Sequence, residues 1–202
     1  MLKDATAYAA IETEILEMFR SRNNKGKHLS LEELDQLVRL DSAITETLRL
    51  QSESMIARDV VEDLDLDLKI ANHETYFLKK DSRVAVMMSC LHLDESVFQH
   101  AQEFQWDRFL PDSQGNAPVF TKNGKVLATP VRPFGGGVSM CPGRKFARYE
   151  VKAFVAEILH RYELELVDTS KNLKTDPSRA GLGINVPLDD VDVRISKRTV
   201  DG

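Results

Sequence analysis

Between residues 111 and 142 the chain carries five of its seven prolines, and between 135 and 143 four of its ten glycines. Proline fixes φ and removes an amide donor, so regular structure cannot run through such a stretch. The segment is therefore a long loop, and long loops inside a packed domain tend to be functional. It stops at Pro142-Gly143, after which Ala147, Val151, Phe154, Val155, Ile158, Leu159 and Tyr162 mark a long amphipathic helix. Any fold this chain adopts must hold an irregular loop at the mouth of a helix.

The flanking sequence predicts a mainly α frame with small β-sheets. Tyr8, Ile11, Ile15, Leu16 and Phe19 share one face of a helix running to about Arg20, stopped by Asn23, Asn24 and Gly26. Ser30 with Glu33 forms a capping box, so a second helix starts there with Leu31, Leu34, Leu37 and Val38 buried. A third begins near Asp41 and contains Ile44 to Arg49. Leu64, Leu66, Leu68 and Ile70 alternate with Asp63, Asp65, Asp67 and Lys69, which predicts a half-buried strand whose acidic residues face solvent rather than a calcium ion. Tyr76 to Leu78 reads as its partner, and Val84 to Leu93 as strand or helix. Tyr162 to Val167 and Val191 to Ile195 alternate and read as closing strands.

Length and composition restrict the function classes. At 202 residues and 42% hydrophobic, the chain suits one domain with a real core. A net charge of −5 supplies no basic stripe for nucleic acid. Two cysteines exclude a disulfide scaffold and suit a reducing compartment. Lys3, Asp4, Glu12, Glu14 and Glu17 exclude a signal peptide or membrane span at the start, and no later apolar run is long enough to cross a bilayer.

The chemistry concentrates in Pro133-Phe-Gly-Gly-Gly-Val-Ser-Met-Cys-Pro-Gly-Arg144. Three successive glycines let backbone approach a flat ligand that side chains would hold off. Amides at a helix start favour negative charge, a setting that suits a thiolate at Cys141, and Phe134 is placed to shield the sulfur. Such a cysteine can act as a nucleophile, pair with Cys90, or bind a metal. The nucleophile needs a base, and His28, His73, His92, His100 and His160 carry no local signature that assigns one. Zinc would need further ligands at short spacing, and none exist. A structural buried cysteine is the ordinary alternative, weakened here by the glycines and the helix start.

Phe134, Gly137, Cys141 and Gly143 resemble the haem-binding loop of cytochromes P450, Phe-x-x-Gly-x-Arg-x-Cys-x-Gly. The resemblance implies haem b with the Cys141 thiolate as axial iron ligand, a ligation that pushes electron density onto iron and favours O–O cleavage. Ser139 departs from the pattern, standing where most members carry a basic residue that contacts a haem propionate. Glu46-Thr-Leu-Arg49 resembles the family's Glu-x-x-Arg, a spacing that puts both charges on one helix face. Trp106-Asp-Arg-Phe109 resembles its Pro-Glu-Arg-Phe segment, and Arg108 would complete a structural Glu-Arg-Arg network with Glu46 and Arg49. Arg58 falls where members hold a haem propionate.

Leu40 to Leu50, Leu91-His-Leu-Asp94, Phe134 to Arg144, Tyr162 to Leu166, Ser178 to Ile184 and Pro187-Leu188 resemble the sterol 7α-hydroxylase and prostacyclin synthase group, which also tends to lack the basic residue at the position of Ser139. The matched motifs belong to the C-terminal part of the P450 fold, implying that the N-terminal half and distal helix are absent. The resemblance divides one partial domain into helices over 1–50, a small sheet region over 51–95, meander and haem-binding loop over 96–143, a long helix over 144–162 and strands over 163–202. The implied function is monooxygenation of a sterol, terpenoid or other lipid-like C–H bond, with secondary metabolism as one setting. NADPH-cytochrome P450 reductase would be the redox partner, at the cytosolic face of the endoplasmic reticulum membrane. The alternatives are a haem-thiolate isomerase of the prostacyclin synthase kind and an inactive truncated remnant.

Overall fold

Helix α1, Ala5–Ser21, starts where the Asp4 carboxylate accepts the amides of Thr6 and Ala7, both at 3.0 Å. The computed structural model describes residues 1–22, 28–68, 74–171, 174–176, 178 and 182–199. Asn23, Asn24, Gly26, Lys69, Ile70 and the stretch 179–181 lie outside the described residues. Helix α2, Leu31–Asp35, opens on the expected capping box: the Glu33 amide donates to Ser30 Oγ at 3.2 Å, and the Ser30 amide to Glu33 Oε2 at 2.7 Å. It runs for little more than one turn before α3, Val38–Gln51, begins.

Leu31 and Val38, expected inside, are 56% and 46% exposed. The break at Gln36 and Leu37 turns the chain, so residues flanking it no longer share a face; only Leu34 and Leu37 of the four reach the core. Helix α3 has no side-chain cap of its own at Leu37. Glu14 of α1 accepts the amides of Arg39 and Leu40 at 2.8 and 3.0 Å and caps it from outside.

Strand β1, Ser52–Asp59, leaves α3 without a loop. The alternating segment forms β2, Leu64–Leu68, paired antiparallel with β3, Glu74–Leu78, with Leu66 opposite Tyr76. The ambiguous apolar run divides into strand β4, Arg83–Met87, and a single helical turn, α4, Met88–His92. β4 pairs antiparallel with β1, placing Arg58 opposite Val84. The proline-rich stretch contains only a two-residue hairpin, β5 Thr121–Lys122 and β6 Lys125–Val126, and a turn of 3-10 helix at Gly137–Ser139.

Helix α5, Arg144–Arg161, buries Lys152, Ala156 and Leu159. Val151, Phe154 and Tyr162, expected on the packed face, are exposed, Phe154 at 65%. The helix is apolar on two sides, and the side turned to α1 to α3 includes Lys152, whose stem packs inward while Nζ donates to the Leu34 carbonyl and pairs with Asp41 Oδ1 at 2.8 Å. Strand β7, Tyr162–Leu166, follows directly; β8, Leu182–Ile184, returns to the far edge of β1, and β9, Val193–Lys197, pairs antiparallel with β7. The main core joins Ile11, Ile15 and Met18 of α1 to Leu34, Leu37, Leu40, Ala43, Ala156 and Leu159. Among the described residues no helix is long and apolar enough to cross a membrane.

Candidate functional site

The first cluster lies on α3. Glu46 and Arg49, one turn apart, are fully buried and paired through two bonds of 2.8 Å, Arg49 Nε to Oε2 and an Arg49 terminal nitrogen to Oε1. Arg108 Nε reaches both carboxylate oxygens from the other side at 3.1 Å, and the Gln105 amide adds a fourth donor. Two guanidinium groups around one carboxylate leave an excess positive charge. Backbone carbonyls absorb it: His92 and Ala101 accept from Arg49 at 2.5 and 2.6 Å, and Gln99 and His100 accept from Arg108 at 2.7 and 3.2 Å. The cluster therefore binds the segment 92–108 to α3, and Ser42 strengthens that hold by donating to the Trp106 carbonyl and accepting the Phe109 amide.

The second cluster is the glycine loop. Gly135 and Gly137 have φ of 79° and 65°, the left-handed region that a side chain resists. Gly136 has close neighbours instead: a Cβ there would come within 3.1 Å of an Arg132 guanidinium nitrogen, which would have to shift slightly, and 3.9 Å of Ile56 Cδ1. β1 thus runs beside the turn, and Arg58, two residues beyond Ile56, projects from the same face of the strand. Arg58 is exposed and donates to the Ala57 carbonyl at 2.7 Å. The Cys141 amide donates to the Phe134 carbonyl at 3.0 Å, folding the loop back on itself, and the Cys141 carbonyl accepts from the Arg144 side chain at 3.1 Å. Gly143 precedes α5 with ordinary φ of −79°, and a Cβ there would sit 3.9 Å from the Cys141 sulfur. Cys141 and Cys90 are both free and exposed, so the disulfide that the sequence left open does not form.

His92, on α4, was not assigned from sequence. It is fully buried, and its Nε2 accepts the Arg132 amide at 2.9 Å. Because Nε2 accepts, the ring proton sits on Nδ1, which finds no partner among the described residues. Burial, reinforced by the nearby Arg49 charge, lowers its pKa to about 4, so the ring is neutral at ordinary pH. The signal available in sequence was a histidine at the end of an apolar run, Val84 to Leu93.

The donor set suits a flat metal-bearing group. Cys141 offers one exposed sulfur on a loop whose centre lacks side chains, with Ile56 and the fully exposed Val138 supplying apolar flanks and Arg58 a cation. Among the described residues no three His, Cys, Asp or Glu side chains gather to hold a metal ion. One thiolate is a single ligand, which fits a metal whose remaining ligands arrive with a macrocycle.

Comparison with known proteins agrees. The family model described as Cytochrome P450 matches residues 1–192. The chain belongs to the cytochrome P450 family. Haem held through a cysteine thiolate is the cofactor of that family. The chain is 37% identical over 204 residues to the 25-hydroxycholesterol 7-alpha-hydroxylase of Rattus norvegicus, covering 98% of this chain and 48% of that protein. It is 38% identical over 175 residues to Cytochrome P450 7A1 of Oryctolagus cuniculus, covering 85% and 34%. The crystal structure of a cytochrome P450, CYP102L1, superposes with a TM-score of 0.73 at 24% identity, covering 98% of this chain and 39% of that one, and shows the shared fold. This P450 chain therefore spans less than half the length of the curated relatives it matches.

Proposed function

We propose that this P450 chain is the haem-ligating portion of a longer monooxygenase that inserts one oxygen atom into a C–H bond of a sterol or a similar lipid. The observation that carries the reading is the exposed Cys141 sulfur at the end of a glycine turn that has no Cβ at its centre, in a chain matched by the family model across nearly its whole length. The names of the relatives, hydroxylases of 25-hydroxycholesterol and related sterols, support the substrate class.

In this reading haem, when bound, supplies oxygen activation. The chain's own residues hold and orient it. Cys141 presents the sulfur, and the hydrogen bond from its backbone amide to the Phe134 carbonyl holds the main chain that carries it. The three glycines keep the approach clear, while Arg58 offers a cation to a carboxylate at the rim. Glu46, Arg49 and Arg108 touch no substrate; they hold the segment over which the loop is laid. A lipid-like substrate, reductase as electron donor and the cytosolic face of the endoplasmic reticulum complete the proposal.

The test is a reduced, carbon monoxide-bound difference spectrum of haem-supplied protein. Cys141→Ala should abolish the thiolate-type band and Cys90→Ala should leave it. A band that survives Cys141→Ala would overturn the assignment.

A further inference from the structure

One cluster is buried around Glu46 and one lies at the surface around Cys141, and the His92 side chain lies between them. The His92 carbonyl accepts from Arg49 at 2.5 Å, while its Nε2 accepts the Arg132 amide at 2.9 Å. From Arg132 the path to the sulfur is short. The Arg132 carbonyl accepts the Gly135 amide at 3.2 Å, and the Phe134 carbonyl next to it accepts the Cys141 amide at 3.0 Å. A second, longer contact reaches the same segment, Ser52 Oγ donating to the Pro133 carbonyl at 3.4 Å.

We infer that His92 is a positioning residue for Cys141: its Nε2 is the acceptor that fastens the entry of the glycine loop to the buried Glu46-Arg49 pair. This rests on the haem-thiolate reading above only for what the sulfur is used for; the positioning itself is a property of the chain.

Three features of the site favour an acceptor role over simple space filling. The ring is fully buried, and among the described residues Nδ1 has no partner while Nε2 accepts, a donor left unsatisfied in an arrangement that makes Nε2 an acceptor. A phenylalanine or leucine would fill that volume without such a penalty. The bond is made to the Arg132 backbone rather than to its side chain, so it restrains the main chain at the loop entry. Finally, the turn that follows depends on left-handed φ at Gly135 and Gly137, a conformation with many alternatives in glycine, which an anchor at its start selects.

The test compares His92→Leu and His92→Gln in this chain by residue-resolved amide hydrogen exchange, without cofactor. A glutamine carbonyl can occupy the place of Nε2; leucine keeps bulk and removes the acceptor. In His92→Leu the amides of Arg132, Gly135 and Cys141 should exchange about tenfold faster, while the Gln105 amide on Glu46 and the α1 amides stay as they were. His92→Gln should restore slow exchange. If leucine unfolds the chain and glutamine does not, the acceptor role stands. Unchanged loop exchange in His92→Leu, or loss of loop protection in both variants, overturns it. Failure of the haem-thiolate reading would show separately, in the carbon monoxide spectrum of the Cys141 and Cys90 variants.

Discussion

At the scale of single residues, burial decides what each charge can do. Glu46 and Arg49 form an ordinary (i, i+3) pair in sequence, and on a surface such a pair contributes little. Fully buried and joined by Arg108, the same pair becomes a fixed point, because the loss of Glu46 strands two guanidinium groups away from water. His92 illustrates the opposite case, a group kept neutral by the same surroundings. Its folded-state pKa of about 4 lies below the 6.5 of an open chain, since burial disfavours the charged ring and Arg49 repels it. Between those values the unfolded chain binds a proton that the folded chain refuses. The His92 contribution to stability is therefore complete above about pH 6.5, falls as pH drops through the window, and is fully lost below about pH 4, a swing on the order of 3 kcal/mol. Urea unfolding at neutral pH and near the lower end of that window should show this slope, and His92→Gln should flatten it. An equal slope in the variant would assign the dependence to other groups.

Among elements, helix α5 joins the loop to the core, and its seating depends on Asp41 of α3. Burial pushes the Asp41 carboxyl up, but hydrogen bonds and charge from Arg148 at 2.7 Å and Lys152 at 2.8 Å outweigh it and hold the pKa below the usual value. Removing the carboxylate leaves the Lys152 cation almost fully buried with the Leu34 carbonyl as its one remaining partner among the described residues, whereas removing the lysine leaves Asp41 with Arg148 and partial access to water. Asp41→Asn should accordingly destabilise the chain by about 3 kcal/mol and Lys152→Met by less than about 1 kcal/mol. Denaturant midpoints compare the two directly, and equal losses would contradict the asymmetry. Sequence made α1, the capping box, the β2–β3 pairing and the closing strands legible, because each rests on local periodicity or a local cap. It failed where the decision was tertiary. Leu31 and Val38 are turned outward by the break between α2 and α3, and Lys152 is drawn inward by a carboxylate more than a hundred positions earlier in the chain. The role of His92 was hidden for the same reason, since its partner is the Arg132 amide, forty positions later and inside the proline-rich loop. The turn before Cys141 was legible because the local glycine pattern already constrains it.

Across the whole molecule, the apolar surface is unevenly used. One side of α5 seals the core through Ala156 and Leu159, while Phe146, Val151 and Phe154 on the other side remain exposed. Burial of such side chains contributes about 1.5–3 kcal/mol each where it happens, so this surface adds no stability to the chain as described. Under the reading proposed above, further polypeptide would cover this face. Two substitutions on the one helix separate the faces. Leu159→Ala should cost about 2–5 kcal/mol, the range for emptying a packed site. Phe154→Lys in this chain should change stability by less than about 0.5 kcal/mol, as an exposed position does. Placed in a longer P450 that contains this segment, Phe154→Lys should become destabilising by about 1.5–3 kcal/mol, because there the ring would be removed from water. Denaturant unfolding of both lengths measures the difference, and a neutral result in the longer protein would mean that this face stays open to solvent in it as well.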